Sequence, residues 1–349
     1  VCCAITARSI RCALSPRLTF RQWSSCDHTN NPGSELTVLL RLLAIAACYG
    51  RTVLVIGLLT GIVLPGLAVA MKPWLPELIA LLLFIAALRI GPSEALGAVR
   101  DLPMTAGIAL VFQLAMPVAA ILILDVFSWL SSPIAMPLIL MLSASSISGS
   151  PNLTVAIGHN PAPALRMLIL GTAMLPLTVL VPFWLMPELG SIGEVLGSAG
   201  RLLGVIAVAA GAAFAIRGIF LPQPSPETIR GIDGLSAIAM AVVVIGLVSE
   251  VGPAMTATPL RFVFWLFLAC AANFGLQVST SLILSRTPLR ADRAAYSIVA
   301  GNRNIALFLV ALPASLTDPL LLFIGCYQVP MYLTPVLLQR FYKAEQKQT

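Results

Sequence analysis

From residue 52 to residue 342 the chain is a succession of apolar runs with short polar punctuation between them. Each run is close to the roughly 20 residues that a helix needs to cross the hydrocarbon core of a bilayer. The runs fall at 52–70, 75–90, 103–127, 134–157 and 164–186, then at 197–220, 232–251, 259–284, 294–314 and 320–342. Only 10% of the residues are charged and 58% are hydrophobic, whereas a soluble domain carries about 25% charged residues. The expected fold class is therefore an all-α polytopic membrane protein with ten transmembrane helices. Five runs precede and five follow an acidic loop holding Glu188 and Glu194. An odd number of spans per half makes the second half enter the membrane the opposite way up, so residues 36–190 and 191–349 read as two inverted five-helix repeats.

The placement of charge tests this segmentation independently, because cytoplasmic loops collect Lys and Arg. With the N-terminus inside, the inner side receives Arg41, Arg51, Arg89, Arg100, Arg166, Arg217, Arg230, Arg286, Arg290, Arg293, Arg340, Lys343 and Lys347. The outer side receives Lys72, Arg201 and Arg261, together with Glu77, Asp125, Glu188, Glu194, Glu250 and Asp318. Both termini are expected to be cytoplasmic. The net charge of +7 is thus a matter of topology and calls for no nucleic-acid partner.

Two apolar runs, the fourth and the ninth, are interrupted by matching stretches: Gly149-Ser150-Pro151-Asn152 and Gly301-Asn302-Arg303-Asn304. Both read Gly-x-x-Asn, and the interval between them is 152 residues. Glycine loosens a helix, and proline removes a donor and clashes with the preceding turn, so the first stretch is expected to break its helix. In a bilayer such breaks persist only where the freed backbone faces protein or a wet cavity. Paired breaks in the two halves of an apolar chain point to the binding site of a secondary transporter.

Arg303 is the one cation that the segmentation leaves inside a span. A charge there costs about 2.5–3.5 kcal/mol even on the lenient insertion scale, and a guanidinium cannot escape that cost by losing its proton. No Asp or Glu falls in the interior of any run, so two roles stay open. Arg303 either braces exposed carbonyls of the broken helices or supplies positive charge to an anionic substrate. Ser143, Ser145, Ser146, Ser148 and Ser150 surround the first break with small hydroxyls that can bond a ligand, water or their own helix. Asn152, Asn302 and Asn304 add amides, and Asn152 and Asn304 are candidates for reciprocal capping across the breaks. Gln113, in Gln113-Leu-Ala-Met-Pro117, is a further buried amide in need of a partner. Seven scattered cysteines and two histidines, His28 and His159, form no metal or disulfide pattern and offer no hydrolytic constellation, so an enzyme is not expected.

In the Gln-x-x-x-Pro of the third run, the Gly/Ser-rich fourth run ending in Asn152, and Gly301 to Asn304, the chain resembles the bile acid:sodium symporter family over approximately residues 51–342. The resemblance implies ten helices in two inverted repeats, with the fourth and ninth crossing where they unwind. It also implies a panel of spans one, two, six and seven beside a core of the others, and organic anions as substrates. The family's ninth-span signature, Glu-x-Gly-x-Gln-Asn, keeps only Gly301 and Asn304 here; its Glu position is Val299 and its Gln position is Arg303. The usual Ser-Asn of the fourth span is Pro151-Asn152, and the hydroxyl ligands of span five fall near Ala164 and Leu168, with Thr172 the nearest hydroxyl. Gln113, Asn152 and Asn304 are then remnants of the sodium sites, and Arg303 becomes a built-in surrogate cation in a carrier that works without sodium coupling. The substrate-facing set is Arg303, Asn304, Asn302, Asn152, Ser150, Ser148 and Ser146.

The expectation is a transporter of small organic anions working by alternating access, with no cofactor. The alternatives are a sodium-coupled symporter with other ligands and a non-transporting membrane receptor descended from a carrier. Residues 1–35 carry Arg8, Arg11, Arg17 and Arg21 and no acid before Asp27, the composition of an organellar transit peptide or of an added leader. A bacterial inner membrane suits the Ala- and Leu-rich body, with an organelle envelope as the alternative.

Overall fold

A computed structural model describes residues 35–97, 102–189 and 191–346. The leader up to residue 34, His28 with it, and Arg100 and Lys347 lie outside the described residues.

Among the described residues the chain is helical. α1 (Glu35–Cys48) and α2 (Gly50–Val63) form an apolar pair bent by 84° at the turn between them. α3 (Pro65–Met71) leads through a short turn of 3-10 helix into α4 (Leu75–Gly97). α5 (Leu102–Leu110) passes through one π turn, Val111–Ala115, into α6 (Met116–Val126). α7 (Ala135–Ser143) and α8 (Ser150–Ala156) are separated by non-helical backbone, and α9 (Ala162–Thr178) continues as α10 (Leu180–Trp184). α11 (Ile192–Phe220), α12 (Pro226–Leu247), α13 (Val251–Ala257) and α14 (Pro259–Leu284) follow. α15 (Arg293–Gly301), α16 (Phe308–Ala311), α17 (Ala314–Thr317), α18 (Leu321–Leu337) and α19 (Gln339–Gln346) complete the chain.

Seven helical stretches among the described residues are long and apolar enough to cross a membrane, or eight with the bent α1–α2 pair counted as one. They coincide with seven of the ten apolar runs. The fourth and ninth runs are absent from that set because each is cut in its middle, so neither fragment reaches spanning length. Local chemistry sets the boundaries where it can. Ser191 and Glu194 close a reciprocal capping box at the start of α11, and Ser225 caps α12 just ahead of Pro226, satisfying backbone donors that a helix start leaves bare.

By packing, the helices sort into two groups. α1, α2 and α4 lie against α12, and α4 lies along α11. α14 packs on α15 and α18, α5 on α9, and α15 on α8 and α9. The first group is knit by close approaches at small residues: a Cβ on Gly57 or Gly252 would meet the carbonyl of Ala241 or Ile62, and glycine is what permits that contact. Ion pairs tie the ends. Lys72 Nζ lies 3.2 Å from both Glu250 and Asp318, and Arg89 pairs with Asp233 at 2.6 Å. The first cluster joins three residues that charge placement assigned to one side. The second lies at the other end of α4.

Candidate functional site

The interruption in the fourth run covers Ala144 to Gly149, ahead of the Gly-x-x-Asn stretch rather than within it. Ala144 is extended, with φ −66° and ψ 152°. Serines loosen the helix from within, since hydroxyls compete for its backbone: Ser143 Oγ donates to Ile139 O at 2.8 Å. Gly149 then caps α8, and Pro151 sits in its first turn, where a missing N–H is no loss. The expectation that Gly149 to Asn152 breaks the helix is corrected: that stretch restarts it. In the ninth run the helix stops at Gly301, and Asn302 and Asn304 take non-helical conformations at φ −109° and −89°.

The two gaps meet. Ser146 and Arg303 face each other in an isolated antiparallel bridge. Ile147 N–H donates to Asn302 O at 3.1 Å, and Asn304 N–H donates to Ser145 O at 2.8 Å. The register differs from the one suggested by the repeated Gly-x-x-Asn, because Ser146 and not Asn152 lies opposite the ninth-run gap. The side chains complete the accounting for freed backbone groups. Asn273 Nδ2 and the Tyr327 hydroxyl both donate to Gly301 O. Asn302 Nδ2 turns back to Ile298 O at 2.8 Å.

Arg303 is 1% exposed and its guanidinium is held by carbonyls. Nε donates to Ala300 O at 2.8 Å, Nη1 to Ala144 O at 2.9 Å and Nη2 to Phe112 O at 3.4 Å. The cation also stands 5.0 Å from the centre of the Phe112 ring, within cation–π range. The availability of the Phe112 carbonyl follows from the sequence around Gln113. Met116 N–H reaches back to Val111 O, five residues away, in the π turn. The next residue, Pro117, has no N–H to offer Phe112, and Arg303 supplies the donor instead. Gln113 itself is buried, with its Oε1 accepting from Thr178 Oγ1 at 3.1 Å, and its amide nitrogen packs over Gly171.

Beside the crossing lies a cavity of about 340 Å³ between α4, α11 and α12 on one side and α9, α18 and the two gaps on the other. Its wall is mostly aliphatic, and its polar groups are Ser148, Thr172, Arg303, Asn304, Tyr327 and Gln328. Arg303 belongs to this wall with almost none of its surface exposed, so its charge stands behind the lining. Asn304 is half-buried there, and its carboxamide makes no hydrogen bond among the described residues. Thr172 Oγ1 reaches Ser145 Oγ at 3.3 Å.

Of the residues singled out from sequence, the structure gathers Arg303, Asn304 and Ser148 at the cavity. Ser146 and Ser150 are buried behind it, bonded to each other at 2.7 Å, and Asn302 is buried at the crossing. Asn152 is exposed on α8 and does not line the cavity, so it makes no reciprocal cap with Asn304. Sequence reasoning passed over Asn273, Gln277, Tyr327 and Gln328. Asn273 and Gln277 sit four apart on α14 and share a 2.7 Å hydrogen bond; that i, i+4 amide pair in an apolar run was the available signal. Gln277 extends the network to Thr334 at 2.9 Å and to the Tyr342 hydroxyl at 3.1 Å.

Fold and site define a polytopic helical membrane protein with two interrupted helices crossing beside an internal cavity. No protein-family model matches the chain, and no curated protein does.

Proposed function

We propose that the chain is a secondary transporter of small organic anions working by alternating access, without sodium coupling. In this reading ten spans form two inverted repeats in a bacterial inner membrane with both termini cytoplasmic, an arrangement resembling the bile acid:sodium symporter family. The observation that carries it is the crossing of two unwound segments against a cavity whose wall holds a permanently charged guanidinium. Half-helix ends and unwound backbone at such a crossing are where secondary transporters bind their cargo. The clustering of Lys72 with Glu250 and Asp318, and of Arg89 with Asp233 at the other end of α4, supports the alternation of sides.

The absence of sodium coupling follows from what surrounds Arg303. Sodium is a hard cation that gathers oxygen ligands, and here three carbonyl oxygens already converge on a guanidinium. Its charge reaches the cavity through a low-dielectric wall, where a fixed cation raises the local potential for an anion without contacting it. Ser148, Thr172, Asn304 and Gln328 supply the direct polar contacts.

The test is uptake of labelled organic anions into proteoliposomes, in sodium and in choline salts, for wild type and Arg303→Gln. Equal wild-type uptake in both salts and its loss in the variant support the reading. Sodium-dependent wild-type uptake overturns the uncoupled mechanism, and binding without translocation replaces the transporter with a receptor.

A further inference from the structure

Arg217 carries a charged group that the site described above does not use. Its Nη1 is buried without a hydrogen-bond partner, and among the described residues it is the one charged side chain with such an atom. A buried donor left unpaired is unfavourable, the more so when it carries charge. An arginine at the end of a spanning helix ordinarily extends its head into the interface. This one lies against α4 instead: a Cβ on Gly91 would sit 3.0 Å from Nε and 3.5 Å from Nη2. Gly91 has φ +74° and interrupts α4, so both its conformation and its closeness to the guanidinium suit glycine.

The position of Arg217 relates it to the cavity. Ile206, Ala210 and Phe214 line the cavity at intervals of four on α11, and Arg217, three residues further on, continues that face of the helix one turn beyond the lining. On α4 the lining runs to Ile90 and Ala95, on either side of Gly91. Arg217 therefore stands against Gly91 at the α4–α11 contact, just beyond the part of the cavity wall made by Ile90, Ala95 and Phe214. At the other end of α4, Lys72 is latched to Glu250 and Asp318. Asp233 on α12 is already held by Arg89 at 2.6 Å, and Glu94, exposed on α4 three residues beyond Gly91, makes no ion pair with Arg217 among the described residues.

We propose that Arg217 is a docking site for the oxyanion head, foremost a carboxylate, of the transported anion as it comes into the cavity from this end. The inference rests on the anion-transport reading above. A guanidinium offers a carboxylate two parallel donors, and the aliphatic stripe beyond it accepts the rest of the molecule. A lipid phosphate offers the same chemistry, so the experiment separates the two sources.

The full chain is reconstituted in phosphatidylcholine vesicles, with and without phosphatidylglycerol, and 2-naphthoate binding and uptake are measured for wild type, Arg217→Gln and Arg217→Lys. The expected result is an affinity loss of about tenfold or more in Arg217→Gln, an intermediate value in Arg217→Lys, and the same pattern in both lipids. The variant should raise KM for uptake from the Arg217 side with kcat unchanged; because an uncoupled carrier has the same kcat/KM in both directions, the matching fall from the opposite side should appear in kcat and not in KM, a split that a purely structural arginine would not produce. Equal affinity in wild type and Arg217→Gln, or no naphthoate binding at all, overturns the docking role. A wild-type advantage lost when phosphatidylglycerol is present assigns Arg217 to lipid headgroups and overturns it too. Should Arg217→Gln fail to fold, unchanged affinity in Arg217→Lys is the overturning result, because lysine lacks the two-pronged geometry. Arg217-dependent binding without uptake would leave the docking site standing and remove the transport reading, whereas uptake indifferent to Arg217 does the reverse.

Discussion

Nη1 of Arg303 donates to the carbonyl oxygen of Ala144 at 2.9 Å, across 159 positions of sequence. The acceptor is the first carbonyl of the fourth-run gap, and the donor lies in the ninth-run gap. One side chain thus closes both interruptions, since its Nε also serves Ala300, at the end of α15. Brace and cation are the same group here: the guanidinium donates to carbonyls at both interruptions and keeps a full positive charge beside the cavity.

Replacing Arg303 by Gln leaves carbonyls of Ala144 and Phe112 facing an apolar interior. The expected loss of stability is about 3–5 kcal/mol, the range for removing one partner from a buried charged set. Arg303→Ala should instead open a space ringed by carbonyl oxygens, and thermal unfolding in detergent should then become stabilised by sodium over choline. Wild type should unfold at the same temperature in both salts; a wild-type sodium response would contradict the surrogate-cation account.

The Tyr327 hydroxyl bonds Gly301 O and faces Arg303 N–H at 3.4 Å. Tyr327→Phe removes that bridge without altering the packing of the ring against Phe323. We expect a loss of about 1–3 kcal/mol, read as a lowered unfolding temperature and faster amide exchange at residues 301–304.

Asn152 and Asn273 make a matched comparison. Asn152→Ala removes an exposed amide that holds nothing in the fold and should change stability by less than about 0.5 kcal/mol. Asn273→Leu strips donors from Gly301 O and Asn302 Oδ1 and an acceptor from Gln277. It should destabilise by roughly 2–4 kcal/mol, because several buried polar groups lose partners at once. Equal unfolding midpoints for the two variants would refute the assignment of the crossing.

Lys72 joins Glu250 and Asp318 in contacts that are partly open to solvent. Lys72→Gln is therefore expected to cost at most about 1 kcal/mol. Its larger effect should be conformational, since the three residues belong to three different helix ends. A cysteine at Ile79, on the cavity wall, should react faster with a membrane-impermeant thiol reagent added from the Lys72 side once Lys72 is replaced. Unchanged labelling would show that these ion pairs do not hold that end shut.

The apolar runs, the two interruptions and the isolation of Arg303 were legible because each depends on a local property: hydropathy summed over one segment, breaker residues within one segment, or the cost of one charge in hydrocarbon. The pairing of the interruptions was not. The repeated Gly-x-x-Asn pointed to equivalent positions 152 residues apart, while the bridge joins Ser146 to Arg303. Proline and glycine mark where a helix has trouble, yet the chain resolved the trouble at Pro151 by making it the first turn of α8, and placed the gap upstream among serines.

Sequence by itself determined that this chain fills a bilayer with helices, cuts two of them and puts one inescapable cation in a cut. Only the tertiary structure decided which carbonyls that cation would meet, that Asn304 would look into the cavity while Asn152 would not, and that Asn273 and Tyr327 would hold Gly301. Those outcomes depend on donors and acceptors separated by tens to hundreds of residues. In an apolar medium every freed backbone group must find one of them, and no segment's own pattern records which.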